Sequence, residues 1–211
     1  AKEYLVTLAA DPLDQTGSIE YGTGFQRFQD LMFPDSNNVE LIDHEGSDGV
    51  VVGSRDKTVK ILGTGMLFST IQEAINSASF GDTVLVGYKE DGYLENVIIH
   101  DGIRVEGGYD PVFWSRDESK YPTRLIAQEG IAAFVGFVAP VVLGSNSSID
   151  GVTIDGKNLV LGIVANQVTN VEVSNCRLTH VDQGLYINDA SGEFYNNSVT
   201  ANEHTVWIQN G

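Results

Sequence analysis

Four charged residues in the last third of the chain are the candidates for catalysis, because their types suit chemistry on acidic sugars. Asp150 and Asp155 flank an apolar strand, and Lys157 and Arg177 are the only basic residues after Arg124. A basic side chain can accept the proton next to a uronate carboxylate, and two carboxylates at a set separation can hydrolyse a glycosidic bond. No paired acidic cluster recurs in phase with Arg177, so we assign no catalytic residue to the chain.

An acidic loop near the start of the chain is the candidate calcium site. Asp43, Glu45 and Asp48 supply three carboxylates, and calcium takes several oxygen ligands from flexible loops. The spacing is not that of an EF-hand, so a solvated loop is the competing interpretation. The four histidines lack the spacing of zinc ligands, and no phosphate-binding loop or Gly-x-Ser-x-Gly is present. We expect no cofactor, with calcium as the one candidate.

The charge balance limits the partners. The 211 residues include 29 acidic and 12 basic side chains, for a formal net charge of −17. Such a chain repels the phosphate backbone, so we exclude nucleic acid as a partner. The longest mostly apolar run, residues 131–144, contains Pro140 and is too short to span a bilayer. Polysaccharide remains a candidate partner, although an acidic polymer would need a bridging cation.

The compartment is predicted to be extracellular or the cell surface. The chain starts at Ala1, which we interpret as a mature end after removal of a signal peptide, with a cut fragment as the alternative. Its single cysteine, Cys176, rules out an internal disulfide. Two Asn-x-Ser triplets, at Asn146 and Asn196, are candidate glycosylation sites.

Two interleaved sets of short apolar segments repeat in the last third of the chain. One set begins at Gly162, Gly184 and Thr205, and the other at Gly151, Asn175 and Asn196. The period of about 21–24 residues predicts a coil in which each turn adds the same strands to stacked sheets. Apolar and polar residues alternate within the segments, and the intervening turns are rich in Gly, Asn, Asp and Ser. Asn175 and Asn196 occupy equivalent bends, where they form either a hydrogen-bonded ladder or plain turns.

A short amphipathic helix is predicted at about residues 70–79. Thr70 and Glu73 form a capping box, and Ile71, Ala74, Ile75 and Ala78 form one apolar face. Strands follow at 83–86, 97–99 and 103–105. Such a helix would cover the apolar end of the first turn, so we interpret it as a structural cap.

Residues 1–64 are predicted to form a separate extension with strands. Val50-Val51-Val52 and Thr58-Val59-Lys60-Ile61-Leu62 are predicted to form a hairpin, and Tyr4-Leu5-Val6-Thr7-Leu8 a further strand.

Three segments carry a resemblance to a known family. They are Ser69-Thr70-Ile71-Gln72-Glu73-Ala74-Ile75, Gly81-Asp82-Thr83-Val84 and Gly92-Tyr93-Leu94-Glu95-Asn96-Val97. Together they resemble the opening of right-handed parallel β-helix proteins of the pectin-lyase-like superfamily. Gly107-Gly108-Tyr109-Asp110, Trp114-Ser115-Arg116-Asp117 and Pro122-Thr123 resemble a stretch of bacterial cell-surface β-helix repeat proteins. The resemblance implies an all-β, single-stranded parallel β-helix over residues 65–211, and it leaves the function open because the superfamily is diverse.

The last predicted strand suggests an assembly function. Val206, Trp207 and Ile208 form a strand in the final turn, after which no second cap is predicted. An uncovered turn exposes strand edges, so we expect head-to-tail self-association, addition of the strand at Tyr4 to Leu8 from another copy, or continuation into a longer β-helix. The prediction is a non-catalytic structural or cell-surface protein, with filament formation as the expected result of such association. The alternatives are a polysaccharide lyase or glycoside hydrolase using Asp150, Asp155, Lys157 and Arg177, and a glycan-binding adhesin or spike fragment.

Overall fold

The structure is a computed structural model that describes residues 40–42, 50–52, 57–128 and 138–209. The chain divides into two compact units, Ala1–Arg55 and Asp56–Gly211. In the first unit, β1 (Glu40–Ile42) pairs antiparallel with β2 (Val50–Val52). The predicted hairpin between Val50–Val52 and residues 58–62 is therefore wrong, because β2 has a different partner.

The second unit is a β-solenoid of about five turns of stacked parallel coils, which confirms the predicted fold class. It begins with β3 (Val59–Ile61), which pairs antiparallel with β4 (Leu67–Phe68) and with β5 (Thr83–Gly87). The strand predicted at residues 58–62 thus belongs to the solenoid, and β3 begins six residues before the predicted start at 65. The parallel coils follow from β5 onward.

Two seven-stranded sheets carry the coils. In sheet one the order is β15-β13-β11-β8-β5-β3-β4, and in sheet two it is β16-β14-β12-β10-β7, with β6 and β9 joining beside β12. The remaining strands are β6 (Tyr93–Leu94), β7 (Val97–Ile99), β8 (Arg104–Tyr109), β9 (Thr123–Ile126), β10 (Val141–Leu143), β11 (Ser148–Asp150), β12 (Val152–Asn166), β13 (Val171–Ser174), β14 (Arg177–Asn188), β15 (Gly192–Tyr195) and β16 (Ser198–Gln209).

The register confirms the two predicted repeats. Ile163 in β12 pairs with Leu185 in β14, which pairs with Val206 in β16. The second repeat aligns Ile154 with Leu178 and Leu178 with Val199. Because side chains alternate along a strand, these aligned residues all point to the interior of the coil. Ile154, Ile163, Leu178 and Leu185 are buried there in one apolar core, and Val199 packs against it.

Stacked glycines keep adjacent coils in close contact. A Cβ at Gly162 would lie 2.4 Å from the carbonyl oxygen of Gly184, and one at Gly184 would lie 2.6 Å from that of Thr205. Any larger residue would push the coils apart at this bend, which explains why both apolar segments begin with glycine.

The predicted helix is present and shorter than expected. Helix α1 (Ile71–Ser77) begins after Thr70, whose hydroxyl accepts a hydrogen bond from the backbone NH of Glu73 at 3.2 Å. It ends at Ser77, two residues before the predicted end at about 79, because Ala78 adopts an extended conformation. Ile71, Ala74 and Ile75 are buried in the core, so the helix covers the first turn of the coil as a cap.

Candidate functional site

The four charged candidates lie on two different faces of the coil. Asp150 ends β11 and points outward from sheet one, whereas Asp155 points outward from β12 in sheet two. Lys157 lies at the bend within β12, and Arg177 begins β14 on the same sheet as Asp155. The two carboxylates therefore do not form a pair across one surface.

Asp150 is the centre of a network that joins neighbouring coils. It is bonded to the guanidinium of Arg116, and its Oδ1 accepts hydrogen bonds from Ser174 Oγ at 2.7 Å and Asn175 Nδ2 at 2.6 Å. Burial alone would raise the pKa of Asp150, but these hydrogen bonds outweigh it and lower that pKa below its ordinary value. An ionised carboxylate with three donors is suited to holding coils together, and it is a poor proton acceptor.

Arg116 extends this network to a third segment. Its Nε donates to the backbone oxygen of Gly107 at 2.9 Å, and its guanidinium also contacts Glu118 at 2.9 Å and lies over the ring of Tyr109. The segment that carries Arg116 is thereby fixed over the outer face of sheet one. The sequence indicated this segment only through its resemblance to surface β-helix proteins.

A second polar cluster lies on the outer face of sheet two, at the bend within β12. His180 Nδ1 is 3.0 Å from Asp155 Oδ1, and Lys157 Nζ is 3.5 Å from Asp155 Oδ2. Burial favours a higher pKa for Asp155, but the backbone NH of Lys157 and the side chain of His180 outweigh it, and the pKa is lowered. Lys157, Asn158 and His180 all have left-handed backbone conformations, with φ of 51°, 63° and 55°.

Sequence analysis did not identify His180 as a partner of Asp155. The repeat contained the signal, because Asp155 pairs in register with Thr179 and His180 is the next residue. The side chain of His180 is 64% exposed to solvent. Chemically, the cluster can orient an imidazole, while the Lys157 ammonium group pairs with its one carboxylate.

Two arginines lie in one outward row of sheet two. Thr153 pairs in register with Arg124 of β9 on one side and with Arg177 of β14 on the other. Both arginines are exposed, as the alternation around Arg177 predicts. Within residues 57–128 and 138–209, neither arginine forms an ion pair.

The predicted asparagine bends are present, but their side chains bond differently. Asn175 and Asn196 have φ of 53° and 56° and follow residues that are paired in register, so they are equivalent corners. The amide of Asn175 donates to Asp150 rather than to Asn196. At this corner it is Asn197 that joins the coils, because its Oδ1 accepts from the NH of Cys176 at 2.9 Å and its Nδ2 donates to Val173 O at 2.8 Å.

Direct asparagine pairs form at other corners. Asn188 donates to Asn166 Oδ1 at 2.6 Å, and Asn170 donates to Asn146 Oδ1 at 3.1 Å. Asn146 and Asn196 are both exposed at left-handed positions, and glycosylation at either stays a prediction.

The last turn leaves part of its apolar interior accessible. Val206 and Ile208 point inward but are 45% and 63% exposed, and they line an open cavity of about 520 Å³ together with Phe194 and Val199. Trp207 is different, because its register with Val164 and Tyr186 places it on the outer face, where it packs 4.9 Å from His204 between ring centres. The assembly residues expected from sequence therefore point to two surfaces.

Other expectations concern metal, membrane and thiol chemistry. The acidic loop with Asp43, Glu45 and Asp48 and the strand from Tyr4 to Leu8 lie outside the described residues. In the described part of the chain, no group of three or more His, Cys, Asp or Glu is arranged to hold a metal ion, and no helix has the length and apolarity to cross a membrane. Burial raises the pKa of the Cys176 thiol to about 12, so it stays protonated at neutral pH.

Comparison with known proteins yields no relative. No protein-family profile matches the chain, and no curated protein and no solved structure matches it either. The parallel solenoid is thus known from the structure itself, and the resemblance to the pectin-lyase-like superfamily stays a prediction.

Proposed function

We propose that the chain is a non-catalytic structural part of an extracellular or cell-surface protein and that it self-associates through its last turn. The observation that carries the proposal is the exposure of Val206 and Ile208. Their neighbours one coil earlier include Leu185, which is only 4% exposed. Burying such apolar side chains is favourable by roughly 25 cal/mol per Å², so this turn is a strong candidate for contact with another strand.

The partner that we propose is the strand predicted at Tyr4 to Leu8 in another copy. A strand added beside β16 would pair with its outer edge and would place apolar side chains over the open cavity. The opposite end of sheet two is unsuitable as the partner surface. There, Gln72 Oε1 accepts from the NH of Ile98 at 2.7 Å and Gln72 Nε2 donates to Ile98 O at 3.3 Å, so a side-chain amide occupies the edge of β7. The association would be head-to-tail and would extend into a filament.

The roles of the charged candidates support a structural function. Asp150 links coils through three side-chain donors, and Asp155 pairs with Lys157 and contacts the ring of His180 on its own face. These bonds explain why the acidic residues occur at these positions without invoking a substrate. Measuring turnover of a panel of polyuronates, with and without Ca²⁺, tests this point, and robust turnover would overturn the non-catalytic role.

The assembly is tested by light scattering of the purified chain over a range of concentrations. The wild type should increase in mass with concentration, and Val206→Lys/Ile208→Lys should remain monomeric because two charges replace the exposed apolar contact. The matched control is Leu62→Lys/Ile98→Lys, which changes two apolar residues of similar exposure, 58% and 42%, at the other end of the coil. The control should behave as the wild type does.

Deleting residues 1–10 tests the proposed partner strand. The deletion should abolish association if Tyr4 to Leu8 pairs with β16, and circular dichroism should show that the solenoid is retained. Unchanged assembly of the deletion variant would overturn the partner, and a wild type that stays monomeric would overturn the assembly role.

A further inference from the structure

The outer faces of the two sheets carry opposite charges on equivalent rows. Sheet one presents the outward row Arg104, Ser148, Glu172 and Glu193, which are consecutive partners in register. Sheet two presents the outward row Arg124, Thr153, Arg177 and Ser198. Among the charged residues of these two rows, the last coils of sheet one carry glutamates and the coils of sheet two carry arginines.

The two glutamates of the sheet-one row repel each other. Glu172 and Glu193 lie directly beside each other on β13 and β15, and like charges in such positions destabilise a sheet. Tyr195 donates a hydrogen bond to Glu172, and neither glutamate forms an ion pair within the described ranges 57–128 and 138–209. A cation from outside the coil would relieve this repulsion.

The two arginines of the sheet-two row also lack a partner of opposite charge within the described residues. Arg124 and Arg177 lie on either side of Thr153 and are exposed, and among the residues that the structure describes neither has a carboxylate partner. They are two of only three basic residues in the stretch 124–211, which contains eight acidic ones. The third, Lys157, is already paired with Asp155, which also contacts His180, so this carboxylate does not compensate the arginines.

Both rows have the same spacing, because each steps from coil to coil at the separation of hydrogen-bonded strands, about 4.8 Å. Two copies lying side by side could therefore set one row against the other over several coils. Aligned at the same level, Arg124 would face Arg104, which is unfavourable. Staggered by one coil, Arg177 faces Glu193 and Arg124 faces Ser148, so the charges select the stagger.

From this charge complementarity we infer that sheet two of one copy docks laterally on sheet one of a second copy, with Arg177 opposite Glu193 and Glu172 nearby. The contact joins different faces, so it leaves one of each free and can repeat. It rests on the proposed structural role but does not use the last turn. Axial and lateral contacts together would build a layer rather than a single filament.

The experiment uses the full chain carrying Val206→Lys/Ile208→Lys, which removes the axial contact and separates this inference from the proposed function. In that background, lateral association should be measurable by sedimentation velocity at low ionic strength. Arg177→Glu should raise the dissociation constant by at least about tenfold, because it sets three carboxylates against one another. High salt should have a similar effect, since the screening length falls to about 3 Å at 1 M.

A matched control separates this effect from the general repulsion between acidic chains. Lys57→Glu makes the net charge more negative by the same two units, but Lys57 precedes β3 at the first turn of the solenoid and belongs to neither row. It should leave the dissociation constant within about twofold of the background value. Equal weakening by Lys57→Glu and Arg177→Glu would overturn the inference.

Charge exchange supplies the decisive measurement. Glu172→Arg/Glu193→Arg should fail to associate alone, because both faces are then basic, and Arg177→Glu should fail because both are acidic. A mixture of the two should associate again, since every contact between unlike copies pairs opposite charges. A mixture that sediments as monomers, or an axially blocked chain that never associates, would overturn the lateral contact.

Discussion

The first and last turns of the solenoid contain similar strands but differ in what covers them. Ile99 in β7 and Ile208 in β16 belong to the same inward row, yet Ile99 is fully buried and Ile208 is 63% exposed. At the first turn, α1 packs against the core and Gln72 occupies the strand edge. The comparison shows that in a solenoid the burial of a residue is decided by the next layer along the axis and not by the pattern of its own strand.

The largest effect is expected from truncating isoleucine at the two ends of this row. Ile99→Ala should lower the free energy of unfolding by about 3 kcal/mol, because it leaves a cavity in a packed core. Ile208→Ala should lower it by less than about 0.5 kcal/mol, because its side chain is mostly in contact with water. Urea unfolding followed by circular dichroism measures both, under conditions where the chain is monomeric. Equal losses would show that the last turn is covered in solution.

A smaller effect is expected from the network that stabilises the middle coils. Asp150→Asn should lower the free energy of unfolding at pH 7 by about 2 kcal/mol, because the charged hydrogen bonds to Arg116, Ser174 and Asn175 are weakened. The folded pKa of Asp150 lies below its ordinary value of 3.8, so its stabilisation is present above that pH and is lost as the pH falls through the folded pKa.

The pH dependence of the free energy of unfolding, compared between the wild type and Asp150→Asn, tests this role of Asp150. The stability difference between wild type and Asp150→Asn should be constant from pH 7 to about pH 5 and should shrink below pH 3.8. A difference that stays constant down to pH 2 would mean that the ionised form of Asp150 does not stabilise the fold.

Among the variants that remove hydrogen bonds, the smaller effect is expected at the covered edge of the first turn. Gln72→Ala removes the two side-chain bonds to Ile98 and should cost about 1 kcal/mol. Hydrogen exchange should show faster exchange of the Ile98 amide, approaching the rate of edge amides in β16. The matched control is Asn76→Ala, because Asn76 Oδ1 accepts from Gln72 Nε2 at 2.9 Å and, within the described residues, its side chain forms no hydrogen bond to β7; it should leave that amide protected.

Much of the fold could be predicted because the solenoid repeats. The period of the apolar segments gave the register of Ile163, Leu185 and Val206, and the capping box located the start of α1. Sheet one was harder to predict as a separate layer, since its strands, such as Val171–Ser174, are short. The hairpin prediction for Val50–Val52 was wrong because two neighbouring apolar segments have no period to identify their partners.

The charged sites show where prediction from sequence ends. Apolar segments that recur every 21–24 residues are sufficient to predict stacked coils, because each turn then repeats the same strands and packs its apolar side chains against those of the next turn. The contact between Arg116 and Asp150, which are 34 residues apart, and that between His180 and Asp155 are evident only in the folded chain. The first contact depends on the path of a long segment between β8 and β9 that departs from the period, and the second on left-handed bends that rotate side chains out of simple alternation.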